Sequence, residues 1–237
     1  MPFFVKALRR AAALLDDWLF PDQVACVCCG TALGSEERCL CAACREALCQ
    51  LEENFRDEKP PAEGLDAVYA ALPYEGQART LIRRLKYDSL RDCAEPLAAV
   101  MSRLPTGNED LLVPIPTTRS RQRQRGFNQA ALLSSSLSDV WGMPMAEALV
   151  RRDERAAQAS LSAAKRKKNL EGCMTCTQDV SGRRILLVDD VYTTGSTAKE
   201  AARALLAAGA QSVSIAVSAR TTAPSETDLL ALFRPKG

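Results

Sequence analysis

Apolar and polar positions along the chain predict strands and helices in alternation from residue 65 to residue 220. Short apolar runs predict buried strands at about 66–72, 111–115, 185–188 and 212–218. Helical spacing predicts helices at about 77–87, 93–103, 127–138 and 197–208, and Gly209 follows the last of them. Strands that alternate with helices are typical of a parallel sheet covered on both faces. The pattern therefore predicts an α/β domain over residues 65–220.

The segments outside this domain have different patterns. Apolar side chains in residues 3–20 fall at roughly helical spacing and Pro21 follows them, which predicts an amphipathic helix over residues 1–21. Its apolar face is expected either to pack on the rest of the protein or to dock on a partner or a membrane surface. Residues 52–64 are charged and contain a Pro-Pro pair, as is typical of a linker. The tail, residues 221–237, is expected to be irregular or loosely helical.

Composition limits the classes of function. With 237 residues the chain has room for one α/β domain and a small additional module. Hydrophobic residues make up 47% and charged residues 25%, which indicates a globular rather than a disordered protein. The net charge is only +2, so affinity for nucleic acid would require local clusters of basic side chains. Histidine is absent, which removes the usual general acid or base and leaves cysteine as the only soft metal ligand.

The cysteines are concentrated near the N-terminus: of ten, seven lie between Cys26 and Cys49. The sequence contains no secretory signal and no apolar run long enough to span a membrane, so a cytoplasmic location is expected. Clustered cysteines in that setting favour a metal site over disulfides. Two C-x-x-C pairs supply four thiolates for one tetrahedral ion, and these are Cys26, Cys29, Cys41 and Cys44. The sequence therefore predicts a structural Zn²⁺ site in a four-cysteine module over residues 22–51.

Other interpretations of the cysteines stay open. Cys28 or Cys39 could replace a nominated ligand, because both lie beside the two pairs. Four thiolates would also fit an iron–sulfur cluster, and the module could be metal-free. A third pair, Cys173 and Cys176, has no partner pair and is expected to fill the core rather than to form a second site.

The most informative stretch, residues 185–197, reads ILLVDDVYTTGST. Its first four residues predict a buried strand, and Asp189 and Asp190 follow at the end where open α/β sheets bind ligands. Gly195 lets the backbone curl so that N–H groups point inward, and the start of a helix adds partial positive charge. Hydroxyl groups that could also donate are carried by Thr193, Thr194, Ser196 and Thr197. The turn would hold a phosphate, and the carboxylates beside it would accept hydrogen bonds from two neighbouring sugar hydroxyls. The stretch therefore predicts a binding site for a sugar phosphate.

Two alternatives fit this stretch less well. A simple turn followed by a helix cap would need one such polar residue, whereas the stretch has four hydroxyl residues. A P-loop would need a lysine directly after the glycine, and Ser196 stands there.

This element resembles the signature of the type I phosphoribosyltransferases, which bind 5-phosphoribosyl 1-pyrophosphate (PRPP) with Mg²⁺. The resemblance implies that Asp189 and Asp190 hold the ribose hydroxyls. It implies that the turn holds the 5′-phosphate, through Thr193, Thr194, Gly195, Ser196 and Thr197.

Further motifs extend the resemblance over nearly all of residues 18–220. They are Tyr74-Glu-Gly76 with Ile82 and Leu85-Lys-Tyr87, Val113-Pro-Ile-Pro116, Arg125-Gly-Phe-Asn-Gln129, and Gln158 with Lys165 to Asn169. With them the chain is similar to the ComF family of competence and DNA utilisation proteins, which have a type I phosphoribosyltransferase-like domain and an N-terminal double zinc ribbon. The chain departs from the family pattern at Arg155, where threonine is usual, and at Ser89, near a common glycine.

The resemblance also implies a pyrophosphate loop. Two prolines stiffen the end of the second predicted strand, because each fixes φ and lacks an N–H. The candidates for this loop and its cations are Lys86, Pro114, Ile115, Pro116 and Arg125. The same prolines would also suit a rigid turn without a ligand.

Two basic runs bear on partners. Residues 117–126 carry four arginines at alternate positions and are expected to form an exposed, mobile loop that closes over pyrophosphate, follows a nucleic-acid backbone or is simply solvated. Residues 165–168 are expected to lie on the exposed face of a helix. Neither run contains aromatic residues for stacking on bases.

Two functional hypotheses follow. The first is a phosphoribosyltransferase-like protein of DNA uptake that binds Mg²⁺ and PRPP and transfers the phosphoribosyl group to an acceptor. The second is a non-enzymatic accessory protein that acts on single-stranded DNA or a competence helicase, with the ligand site kept as a sensor or relic.

Overall fold

The computed structural model describes residues 25–55, 61–152 and 172–221. Its α-helices are α1 (Ala42–Asn54), α2 (Gly76–Arg83), α3 (Ala94–Met101), α4 (Arg119–Arg125), α5 (Gln129–Trp141) and α6 (Ser196–Ala207). Its strands are β1 (Val68–Pro73), β2 (Leu111–Pro114), β3 (Leu149–Arg151), β4 (Met174–Cys176), β5 (Arg184–Tyr192) and β6 (Ser212–Arg220). A π-helix, Arg84–Asp88, continues α2, and a 3-10 turn, Arg91–Cys93, precedes α3.

The centre of the fold is a four-stranded parallel sheet in the order β1-β6-β5-β2. Strand β5 pairs with β6 along its whole length, from Arg184 opposite Ser212 to Tyr192 opposite Arg220. It pairs with β2 only as far as Val188. The last part of β5 therefore extends beyond its neighbour, and its free edge on that side is open to a ligand.

Each face of the sheet is covered by a different layer, because successive side chains of a strand point to opposite faces. On one face Leu72, Leu112 and Leu186 are fully buried in a cluster with the apolar side chains of α2, α3 and α5. On the other face Val113 and Leu187 pack in a cluster with α6 and with the antiparallel β3–β4 hairpin. The predicted parallel sheet with helices on both faces is confirmed.

Most predicted elements are present with shifted ends. Strand β5 runs four residues further than predicted, through Tyr192, because its pairing with β6 continues beyond the apolar run. Helix α1 and the β3–β4 hairpin were not predicted from the sequence. The predicted linker, 52–64, begins too early, because α1 continues to Asn54 and packs Leu51 against the core.

The arginine-rich segment is not the predicted loop but the helix α4. Arginine and glutamine favour helices, and both ends of this segment are capped. Thr118 accepts a hydrogen bond from the Arg121 N–H at 3.3 Å, and Gly126 ends the helix with φ 81°. The segment is exposed, as expected, but the prediction of a loop was wrong, because the segment is helical.

The cysteine module packs directly on the α/β domain. Val27 is buried, and its carbonyl accepts a hydrogen bond from Arg84 Nη1 at 3.2 Å. Cysteine and leucine side chains of the module share one hydrophobic cluster with α2 and α3. The two parts therefore have a common core.

Several predictions fall on residues that the structure does not describe. They are the N-terminal helix at 1–21, Arg155, Gln158, the basic run at 165–168 and the tail from residue 222. Among the helices in the described part of the chain, none has the length and apolar character needed to cross a bilayer.

Candidate ligand-binding cleft and cysteine cluster

Two adjacent carboxylates lie at the open end of β5. Asp189 is half-buried and Asp190 is 5% exposed. Asp189 Oδ1 accepts a hydrogen bond from the Asp190 N–H at 2.8 Å, and Asp190 Oδ1 pairs with Lys86 Nζ at 2.8 Å. Both carboxylates line a cleft of about 330 Å³. The end of β5 therefore places two carboxylates, both hydrogen-bond acceptors, in the lining of this cleft.

The two carboxylates differ in their electrostatic surroundings. Burial, and then the neighbouring charge of Asp190, raise the pKa of Asp189 to about 7. The positive charges of Lys86 and Arg151 act in the opposite direction on the same pKa, and less strongly. Near neutral pH the pair therefore holds a proton for part of the time, and a bound cation would displace it.

The turn after β5 has the backbone of an anion-binding loop. Gly195 adopts φ 74° and directly precedes α6, a helix of 12 residues whose N-terminus faces the turn. Thr194 Oγ1 and Ser196 Oγ share a hydrogen bond at 2.9 Å. A small pocket of about 30 Å³ is lined by Asp189 and the residues of this turn, 193–197. It adjoins the main cleft through the four residues that line both, Asp189, Val191, Thr193 and Thr197.

The opposite side of the cleft begins at the end of β2. The Ile115 N–H donates to the Val188 carbonyl at 3.0 Å, and the Ile115 carbonyl accepts from Asn128 Nδ2 at 3.1 Å. Asn128 also caps α5 by accepting from the Ala130 N–H. The loop after β2 is thereby fixed between β5 and the start of α5.

The structure brings nearly all of the nominated ligand residues together. Lys86, Ile115, Pro116, Arg125, Asp189, Asp190, Thr193 and Thr197 line the main cleft. Thr194, Gly195 and Ser196 line the small pocket. Pro114 lines neither, because it is the last residue of β2 and is buried opposite Val188.

The four nominated cysteines also converge. The Sγ atoms of Cys26, Cys29, Cys41 and Cys44 lie within 4.8 Å of one another. The Cys29 and Cys41 sulfurs are 3.7 Å apart, close to the edge of about 3.8 Å expected for a tetrahedron of sulfurs with 2.3 Å bonds to zinc. This group could hold a metal ion, and the donor set suits a soft one.

Comparison with known proteins places the chain in a family. A family model described as "Phosphoribosyl transferase domain" matches residues 90–229. The DNA utilization protein YhgH of Escherichia coli K12 is 34% identical over 176 residues, which cover 69% of this chain and 75% of that protein. The chain is a member of the ComF family.

Two further comparisons also gave matches. Competence protein ComFC of Bacillus subtilis is 29% identical over 203 residues, which cover 81% of each chain. A solved glutamine PRPP amidotransferase from B. subtilis, complexed with ADP and GMP, matches with a TM-score of 0.39 and 18% identity. That match covers 53% of this chain and 26% of the amidotransferase.

Seven residues that line the main cleft were not nominated from the sequence. They are Tyr74, Thr117, Arg121, Asn128, Gln129, Arg151 and Val191. Tyr74, Asn128 and Gln129 lie within motifs that carry the family resemblance, and that signal could have suggested them. Arg151 had no such signal, because it ends a strand that the apolar pattern did not predict.

The cysteines outside the group of four have packing roles. Cys39 Sγ donates to Glu95 Oε2 at 3.2 Å, and burial raises the pKa of Cys28 and, to about 12, that of Cys93. Cys173 is buried in the core, as predicted. Cys176 is half-buried, packs against the same core cluster and donates to the Gln178 carbonyl.

One departure from the family pattern has a visible conformation. Ser89 ends the π-helix with φ 55°, in the left-handed region that favours glycine. The serine therefore bears a backbone strain that glycine at this position would relieve.

Proposed function

We propose that this ComF-family protein binds Mg²⁺–PRPP in the main cleft and serves DNA uptake or utilisation. One observation carries the proposal. The cleft lined by the acidic pair of β5 adjoins the small pocket lined by the hydroxyl-rich turn, 193–197, at the N-terminus of α6. The relatives' names, DNA utilization protein and competence protein, support the biological process.

Each part of the cleft matches one part of the ligand. Asp189 and Asp190 accept hydrogen bonds from the two ribose hydroxyls. The turn at 193–197 takes the 5′-phosphate through backbone N–H and hydroxyl groups. Ile115 and Pro116 shape the pyrophosphate side, where Lys86 and Arg125 supply positive charge, and Mg²⁺ neutralises the pyrophosphate when bound.

Transfer of the phosphoribosyl group would replace the bond from ribose C1 to pyrophosphate by a bond from C1 to an acceptor nucleophile. Binding and transfer are separate properties, and the proposal commits to binding. Release of pyrophosphate in the presence of candidate acceptors measures transfer directly.

For the cysteine module we propose one structural Zn²⁺ held by Cys26, Cys29, Cys41 and Cys44. The sulfur spacing supports this ion, because the four thiols lie within 4.8 Å of one another and the Cys29 and Cys41 sulfurs are 3.7 Å apart. The domain boundaries and the cytoplasmic location stay predictions.

Calorimetry with Mg²⁺–PRPP tests the proposal. Asp190→Asn removes a charge and one acceptor oxygen, and we expect it to weaken binding at least tenfold, the size of a charge-assisted hydrogen bond. The matched control is Asp139→Asn on the exposed surface of α5, which should bind like the wild type. Absence of Mg²⁺–PRPP binding to the wild type would refute the proposal.

A specific observation favours the accessory role on single-stranded DNA as a second candidate. Tyr87 is 70% exposed, and the guanidinium groups of Arg83 and Arg125 each lie 5.7 Å from its ring. An exposed ring close to two cations suits stacking on a base beside a phosphate. The folded chain thus supplies an aromatic group that the basic run itself lacks.

A cell in which the gene carries Asp189→Asn separates the two candidates. If the variant is stably folded and DNA uptake fails, the ligand site is required. If uptake is normal while PRPP binding is lost, the protein acts as an accessory and the cleft is dispensable.

A further inference from the structure

One part of the cleft wall carries buried hydrogen-bond donors. Gln129 is only 4% exposed and lines the cleft at the start of α5. Its Oε1 accepts from Arg125 Nη1 at 3.1 Å, while its Nε2 has no hydrogen-bond partner among the described residues. Because a guanidinium has only donors, the carboxamide oxygen must face Arg125, and this contact fixes the Nε2 as the free end of the carboxamide.

A second donor of the same kind lies on the same wall. Arg151, at the end of β3, lines the cleft, and its Nε is shielded from solvent without a partner in the part of the chain described. Its positive charge acts on the pKa of Asp189, so the guanidinium lies within electrostatic range of the acidic pair. A buried donor without a partner is costly and persists where function requires it.

These two donors differ from the other unpaired buried groups. Ser134 Oγ, on α5, and Glu109 Oε2 also lack partners among the described residues, but neither residue lines the cleft. Of these four groups, those on Gln129 and Arg151 belong to residues that line a cavity large enough for a ligand. With Lys86, Arg121 and Arg125 on the same cavity, the wall offers positive charge and donors together.

We infer that Gln129 Nε2 and Arg151 Nε bind phosphate oxygens of the pyrophosphate group, at a subsite that extends the loop after β2. The inference rests on the proposed function and assigns two residues to it. Two donors without a partner among the described residues, close to the positive charges of Arg121 and Arg125, suit an oxyanion, whose oxygens have only lone pairs to offer. Arg125 orients the Gln129 carboxamide and so acts as a positioning residue as well as a charge.

Two partial ligands test this assignment separately from the proposed function. Ribose 5-phosphate reports on the acidic pair and the turn at 193–197, whereas Mg²⁺–pyrophosphate reports on the part of the wall with the buried donors. Gln129→Met keeps the size of the side chain and removes the donor. Arg151→Lys keeps the charge and removes the Nε. Ser134→Ala removes an unpaired buried hydroxyl from the same helix and is the matched control.

We expect Gln129→Met and Arg151→Lys each to weaken Mg²⁺–pyrophosphate binding by about tenfold in calorimetry, as for the loss of one hydrogen bond to a charged group. Ribose 5-phosphate affinity should change less than about twofold, because its contacts lie elsewhere in the cleft. Ser134→Ala should leave both affinities unchanged. Gln129→Glu should weaken pyrophosphate binding further, since the new carboxylate would repel the negatively charged pyrophosphate.

The outcomes are distinct. Unchanged pyrophosphate affinity in folded Gln129→Met and Arg151→Lys overturns the assignment while leaving the proposed function intact. Equal loss of both partial ligands in these variants also overturns it, because the effect would then be structural. If the wild type binds pyrophosphate but neither ribose 5-phosphate nor PRPP, the oxyanion subsite stands and the proposed function fails. If it binds none of these ligands, both fail.

Discussion

Tyr192 and Gly195 are tightly fitted against each other at the turn after β5. The Tyr192 side chain is 5% exposed and stacks with the Arg220 guanidinium, whose centre lies 4.8 Å from the ring. A Cβ on Gly195 would lie 2.8 Å from the Tyr192 Cζ and closer still to its hydroxyl. Glycine is thus required here for its φ of 74° and for the close approach of the ring.

A substitution at Gly195 separates these two requirements. Gly195→Ala should destabilise the fold and weaken PRPP binding, because the ring or the turn must move. The control is Gly142→Ala, which has φ 63° with no atom within 4 Å of the added Cβ. It should show only the backbone penalty, about 1 kcal/mol in urea unfolding. Equal unfolding free energies for the two variants would contradict the argument.

The proton on Asp189 gives a second prediction at this scale. Its folded pKa, about 7, lies above the ordinary aspartate value, so the folded protein binds this proton more tightly than the unfolded chain. The associated stability is therefore full at low pH and is lost as pH rises towards 7. PRPP binding, which uses the carboxylate, should strengthen over the same range.

Calorimetry at pH 7 in buffers with different ionisation enthalpies measures the proton. Binding of Mg²⁺–PRPP should release a fraction of a proton from the protein, because the bound ligand stabilises the charged carboxylate. In Asp189→Asn, titrated at protein concentrations high enough to saturate its weakened site, that share of the release should be absent, whereas Asp139→Asn should not change it. Equal proton release in the wild type and Asp189→Asn would refute the assignment.

At the scale of elements, helix α4 sorts its arginines into two pairs. Arg121 and Arg125, one turn apart, line the cleft, whereas Arg119 and Arg123 do not. An extended loop would have placed all four on one side, because alternate residues of an extended chain share a face. The helix therefore places two of the four arginines at the cleft and leaves the other two away from it.

This division predicts different effects for two double variants. Arg121→Gln with Arg125→Gln should weaken both PRPP and single-stranded DNA, whereas Arg119→Gln with Arg123→Gln should weaken DNA alone. Glutamine keeps the helix propensity close to that of arginine. Fluorescence anisotropy across salt should show DNA affinity falling by a slope of roughly 0.7 per phosphate neutralised. A DNA affinity unaffected by either pair would exclude α4 from the DNA surface.

At the scale of the whole molecule, the cysteine module and the α/β domain stabilise each other. Arg84 donates to the Val27 carbonyl and is the first residue of the π-helix. The same π-helix contains Lys86, which pairs with Asp190. Cys93 is fully buried at this junction, and its Sγ lies 3.9 Å from the same carbonyl. Loss of the module would therefore expose part of the shared core beneath the cleft.

Metal analysis and thermal unfolding test this dependence. Protein purified without added metal should contain about one equivalent of zinc, and Cys41→Ser should lose it. Because the core is shared, Cys41→Ser should lower the Tm of the whole protein. Cys173→Ser, in the other core cluster, should retain the zinc. A zinc-free wild type with a folded module would contradict the proposal.

The sequence by itself determined the features that are local in the chain. The acidic pair and the hydroxyl turn lie within 13 consecutive residues, 185–197, and the cysteine pairs have short spacings, so their chemistry could be inferred from the order of residues alone. The alternation of strands and helices was also predictable, because periodicity reflects which face each element buries.

Only the tertiary structure decided which distant residues meet. The sheet order β1-β6-β5-β2 and the helices above it bring Lys86, Gln129 and Arg151 to the acidic pair. The same holds for three further features, which depend on contacts between separate segments. They are the length of β5, the helical form of α4 and the position of two arginines close to Tyr87. Such contacts form only when the elements pack, since local periodicity fixes the face that an element buries and leaves open which neighbour it buries that face against.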